Sequence, residues 1–141
     1  MALHLVKLAA GAENLDELKA RVRRRVAASK AAGGPECAEH LTRMFPRRRE
    51  ELLDGGSLYW VVKGVVLVRQ RILDLVRRPC DDGIARCAIV LAPELIETAA
   101  QPRRAFQGWR YLKAEDAPAD LKVSKRGNAA LQAELAELGL L

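Results

Sequence analysis

Residues Thr42 to Ile72 read TRMFPRRREELLDGGSLYWVVKGVVLVRQRI, and no other span is as dense in local signals. Proline is favoured at a first helical position, so Pro46 is expected to open a short helix over Arg47 to Leu53, stopped by Gly55-Gly56. Ser57 to Lys63 then reads as a strand, with Leu58, Trp60 and Val62 on one face and Tyr59 and Val61 on the other. Lys63-Gly64 fits a tight turn, because the run from Val65 to Val76 that follows is rich in β-branched residues. Its first four positions are all apolar, which suits a strand covered on both faces. Further on the strand is expected to be more solvated, where Arg69 and Arg71 share one side, and Gln70 and Ile72 the other.

Towards the N-terminus, Ala2 to Leu8 is a short apolar strand interrupted by His4 and Lys7 and broken at Gly11. Asn14 is a good N-cap, with Asp16 and Glu17 in the first turn, where the helix dipole favours acids. Leu18, Val22 and Val26 recur at helical spacing until Gly33-Gly34-Pro35, and the outer face of this helix carries Arg21, Arg23 and Arg24. Ala38 to Met44 reads as a strand. Towards the C-terminus, Asp81-Asp82-Gly83 makes a turn before a strand over Ile84 to Leu91. Glu94 to Ala99 takes no assignment, Asp116 to Asp120 is a proline-containing turn, and Asn128 to Leu138 is a helix with a leucine stripe. The turns between Ser57 and Leu91 are too short for parallel crossovers, so those strands pair antiparallel. The expected fold is α+β, one domain over residues 1–141, with a small antiparallel, barrel-like sheet and flanking helices.

Composition narrows the function classes. No run reaches the apolar length of a bilayer span, and residues 1–10 lack the order of a signal peptide. Three cysteines, Cys37, Cys80 and Cys87, are odd in number and widely spaced, which argues for a reducing compartment and a cytoplasmic protein. The net charge of +6 is concentrated: residues 1–80 hold 16 Lys+Arg against 9 Asp+Glu, whereas residues 81–141 hold 8 against 9. Arginine outnumbers lysine, and its planar fork matches phosphate, so an anionic partner is expected.

The segments TRMFPRRREELLDGGSLYWVVKG, RQRIL and PRRAFQGWRYL resemble a bacterial family catalogued only as a domain of unknown function, number 1489. That likeness covers nearly the whole chain and carries no activity with it. More loosely, a Thr-Arg pair, a short helix ending in glycine, an aromatic-apolar strand and a long following strand are similar to the PUA-like group of small β-barrels. That group includes the PUA, ASCH and EVE domains, so the resemblance implies a partner that is RNA or a modified nucleotide. Some ASCH-type members are amidohydrolases with a lysine three residues before the threonine. Here that position is Glu39, and the catalytic version is not carried over.

Nucleic-acid binding requires cations for phosphates beside π-faces for bases. Five of the six aromatic residues fall in two clusters with arginines. One joins Arg43, Arg47, Arg48 and Arg49 to Tyr59 and Trp60; the other joins Arg103, Arg104 and Arg110 to Phe106, Trp109 and Tyr111. The resemblance puts Thr42 and Arg43 at the mouth of the site. Arg47, Arg48, Arg103 and Arg104 are expected to meet phosphates and Tyr59 or Trp109 to stack on a base, with Lys63 and Arg110 also on the nucleic-acid-binding surface. Trp60 and Phe106 suit core anchors better. Two other readings stay open: a small amidohydrolase using Glu39, Lys63 and Thr42 on a nucleoside-like substrate, and a protein-interaction domain using the arginine face of the first helix. No catalytic residue, metal or cofactor is assigned. Cys80 and Cys87 are too far apart for a zinc knuckle with Cys37 and His40, and Gly55-Gly56 lacks a P-loop lysine.

Overall fold

A computed structural model describes residues 3–121. Its elements in order are β1 (Leu3–Leu8), α1 (Leu15–Ala31), β2 (Ala38–Thr42), α2 (Arg49–Leu53), β3 (Ser57–Val62), β4 (Val65–Arg78), β5 (Arg86–Leu91), β6 (Ile96–Pro102), β7 (Trp109–Lys113) and a 3-10 turn over Ala114–Asp116. Asn14 caps α1 as expected, its Oδ1 accepting from the Glu17 N–H at 2.9 Å. Lys63 and Gly64 both adopt positive φ (48° and 80°), the two-residue hairpin geometry that matches strand twist. Pro46 does not start the short helix, which begins at Arg49, and the strand expected over Ala38 to Met44 ends at Thr42. The expected helix Asn128 to Leu138 lies outside the described residues.

The chain is α+β, with seven strands in one mixed sheet of order β2-β5-β4-β3-β1-β7. The β3-β4-β5 pairings are antiparallel, as the short turns require. The expectation of an antiparallel, barrel-like sheet is corrected in two respects. β1 and β3 pair in parallel, because the chain between them returns through α1, β2 and α2, a connection long enough for a crossover. The sheet is also open, since no pairing joins β2 to β7.

A seventh strand, β6, fills the stretch left unassigned, and it explains the length of β4. The same edge of the 14-residue β4 carries β5 along Ile72–Arg78 and then β6 along Val65–Arg69. Between them the chain leaves the ladder around Pro93, which cannot donate to it. The buried Gln70 side chain repairs the gap: its Nε2 donates to the Ala92 carbonyl at 2.9 Å, and its Oε1 accepts from Trp60 Nε1 at 2.7 Å.

The inner sheet face carries Leu5, Leu58, Trp60, Val68, Ile72, Ile89 and Leu91, with Leu18 and Val22 of α1 and Leu52 of α2 packed into the same core. His40 of β2 meets Trp60 of β3 edge to face at 5.1 Å, so the sheet curls. Met44, just past β2, places its carbonyl on Trp109 of β7 at 2.9 Å. A loop, rather than strand pairing, therefore spans the two edge strands. The outer face holds a smaller core of Val6, Tyr59, Val61, Val66 and Leu112, covered by Phe106 and Ala117.

Gly56 sits where α2 meets β1 and β3. Its N–H donates to the Leu52 carbonyl at 2.9 Å and its carbonyl accepts from Ile72 at 3.0 Å. A Cβ there would collide with the backbone oxygens of Leu3 and Leu52. Gly56→Ala should therefore cost at least about 3 kcal/mol in urea unfolding, because backbone cannot move aside as a flexible side chain can. Gln70→Leu should cost about 2–3 kcal/mol by the same measurement, since it leaves the Trp60 N–H and the Ala92 carbonyl without their partner.

Candidate functional site

The two arginine–aromatic clusters of the sequence are rearranged by the fold. Met44 to Arg48 leaves β2 and docks on β7, where Trp109 Nε1 holds the Met44 carbonyl. The Tyr111 hydroxyl accepts from the backbone N–H groups of Arg47 (3.0 Å) and Arg48 (3.2 Å), and the Arg48 guanidinium lies 5.6 Å from the Tyr111 ring centroid. Arg110, next along β7 on the opposite face, lies 5.4 Å from the Phe106 ring centroid. Arg47 and Arg48 thus join the aromatic partners of the second cluster, not those of the first.

Other expected residues fall less closely together. Arg103 N–H donates to the Gly64 carbonyl at 2.8 Å, so Arg103 and Arg104 stand beside the β3-β4 hairpin. Lys63, at its tip, pairs with Glu13 at 2.7 Å. Thr42 is buried on β2 opposite Cys87, with Arg43 exposed after it. The expectation that Tyr59 or Trp109 offers a free ring face is corrected: they are 4% and 7% exposed. Alternation was read correctly for Tyr59, but its face of the sheet is covered too. Glu39, Lys63 and Thr42 do not share a cleft. Glu39 pairs with Arg78 and Thr42 lies across β5 from Arg77, whereas Lys63 precedes the far end of β4. On α1, Arg21 turns to the Ala10 carbonyl (2.8 Å) and Arg23 and Arg24 are exposed.

The structure adds a cleft that sequence reasoning missed. A space of about 310 Å³ on the outer face is lined by His4 of β1, Tyr59 of β3, Arg69 of β4, Gly55 and residues from Ala114 to Asp120. Asp120 is carried there by pairing along β6: Ala99 N–H donates to Ala119, Leu121 N–H donates to Glu97, and Thr98 bridges Asp120. Arg69 grips the Asp120 carboxylate with Nε (2.7 Å) and Nη2 (2.8 Å), and gives Nη1 to Ser57 Oγ at 2.8 Å. The bidentate contact holds the Asp120 carboxyl below its ordinary range. Ser57 N–H donates to His4 Nδ1 at 3.0 Å, which puts the proton of the neutral ring on Nε2. Burial, then the Arg69 charge, lowers the pKa of His4, and burial raises that of Tyr59. The ring of His4 meets that of Tyr59 edge to face at 5.1 Å. The one signal available in the sequence was a histidine interrupting an apolar strand.

His40, on the inner face, is a second, half-buried imidazole whose Nε2 is sealed from solvent. Arg25 donates to its Nδ1 at 3.3 Å, while Nε2 has no hydrogen-bond partner among the described residues. Burial, then the charges of Lys7, Arg25 and Arg21, lowers its pKa from 6.5 to about 3. Between those values the unfolded chain binds the proton that the folded chain refuses, so stability falls as pH drops through that window. His40→Gln should flatten the decline between pH 6.5 and 5 by up to about 1.4 kcal/mol per pH unit, read from urea titrations at several pH values.

No curated protein matches the chain. Nor does any solved structure. No helix among the described residues is long and apolar enough to cross a membrane. One family profile does match, over residues 5–141, nearly the whole chain: the chain belongs to the family described as "Protein of unknown function (DUF1489)".

Proposed function

We propose that the protein binds RNA or a modified nucleotide along β7 and the two loops beside it. The observation that carries this reading is the docking of the Met44–Arg48 loop on Trp109 and Tyr111, which holds Arg47 and Arg48 on one side of an edge strand while Arg110 stands on the other. The Arg48 and Arg110 forks, held over ring faces, lose less rotamer freedom when they meet phosphate than free side chains do. Arg48 pairs with Glu51, whereas Arg43, Arg47, Arg103, Arg104 and Arg110 have no carboxylate within ion-pair distance among the described residues. Their charge is available to a polyanion. The curled sheet, with a loop spanning β2 to β7, supports a PUA-like barrel that is left open on one side. Free thiols at Cys37, Cys80 and Cys87 suit action in the cytoplasm.

Binding of labelled single-stranded RNA across a salt series tests the reading. Each phosphate contact on a single strand contributes about 0.7 to the slope of log K against log salt. Replacing Arg47, Arg48 and Arg110 together by alanine should therefore lower the slope by about 2 and weaken binding to all sequences alike. Unchanged affinity and slope in that variant would sink the assignment.

A further inference from the structure

We propose that the outer-face cleft binds a neutral heterocycle presenting a carbonyl beside a ring N–H, the edge carried by uracil and guanine. The proposal deepens the nucleotide-binding reading and rests on it for the source of the heterocycle.

The hydrogen-bonding inventory points to this edge. Three of the five N–H donors of Arg69 are spent on Asp120 and Ser57. His4 Nε2 and the Tyr59 hydroxyl have no protein partner among the described residues, and neither is a sealed, unsatisfied atom. Both residues line the space, so an N–H and an O–H donor stand ready for one carbonyl oxygen. Asp120 supplies the opposite character: each of its oxygens meets one Arg69 donor and keeps a further lone pair for a ligand N–H. Donors beside an acceptor are the complement of a lactam or imide edge. Cytosine and adenine put an amino group beside an unprotonated ring nitrogen, so they reverse the match and would leave groups unpaired on both sides.

Charge excludes the phosphate alternative for this cleft. Arg69 and Asp120 cancel, His4 is held neutral by burial and the Arg69 charge, and Tyr59 keeps its proton. A net-neutral site gives an anion no advantage over water. Shape agrees with a flat ring: one wall is made of Ala114, Ala117, Pro118 and Ala119, small and apolar. Arg110 is on the same face, paired with Val6 two residues along β1 from His4, whose own partner is Leu112. Such diagonal neighbours lie about 7–8 Å apart, within reach of a phosphate attached to a bound base.

The test titrates the full chain calorimetrically with uridine, guanosine, cytidine and adenosine, and by anisotropy with oligouridylate and oligocytidylate. It uses wild type, Tyr59→Phe and Asp120→Asn, with thermal melts confirming that each variant is folded. Uridine and guanosine should bind at least about tenfold tighter than cytidine and adenosine. Tyr59→Phe, which keeps the ring and its packing, should lose about tenfold of that affinity, and Asp120→Asn should abolish the preference. Preference for free uridine without RNA binding would uphold the cleft and remove the RNA reading. RNA binding with no base preference and no effect of Tyr59→Phe would uphold the arginine edge and overturn the cleft. Nucleosides that bind equally, or not at all, would overturn it as well.

Discussion

The side-chain amide of Gln70 is the contact on which the architecture turns. One strand, β4, is shared by three partners, and two of them, β5 and β6, lie end to end on a single edge. A chain that leaves a ladder and rejoins it exposes backbone groups in the core, where an unpaired carbonyl is costly. Gln70 resolves this from inside by meeting Ala92 with its nitrogen and Trp60 with its oxygen. Fixing Trp60 in turn fixes what rests on it: the His40 ring across the curl, and with it the position of β2. The change of partner along β4, the course of β6 and the curl of the sheet meet at that one side chain.

Charge is distributed over the two faces by the same geometry. Half-buried cations and an imidazole gather inside, where Lys7, Arg25 and His40 face one another across α1 and the sheet, and desolvation lowers the pKa of each. Outside, the ionisable groups of the cleft balance to zero. The surplus positive charge is therefore left on loops, on the outer side of α1, on β4 and on β7, an edge strand whose outer rim has no strand partner among the described residues. Long cationic side chains at such a rim discourage edge-to-edge association of identical chains while keeping the rim open to an anion.

Local signals proved legible and long-range ones did not. Asn14, Lys63-Gly64 and the alternation from Leu58 to Val62 each act within a few residues, and each gave the right element. β6 was missed because Glu97, Ala99, Ala100 and Gln101 have little β preference; the strand exists through pairing with β4 rather than through propensity. The parallel β1-β3 pair was hidden because nothing local encodes which strand a crossover returns to. At the candidate site the arginines of the loops were evident, but Tyr59 and Trp109 were taken for free faces because alternation says nothing of a second covering layer. His4 and Asp120 went unnoticed because their meaning lies in each other's company. The Arg69 that joins them read as the solvated side of a strand.

The cleft draws on residues 4, 57, 59, 69 and 120, nearly the full span of the described chain. Such a surface has no local nucleus. The hairpin from Ser57 to Arg71 closes over a short loop, whereas β1 must wait for a crossover and Asp120 for β6 to be in place. Loop-closure entropy therefore orders assembly, with the hairpin early and the rim of the cleft among the last parts to form. The Ala119–Leu121 segment is tied to β6 by two backbone amides and to Arg69 by one carboxylate, few contacts beside those of the sheet beneath it, and few contacts mark low local stability. The far rim of the cleft is thus set by an edge pairing rather than by the core.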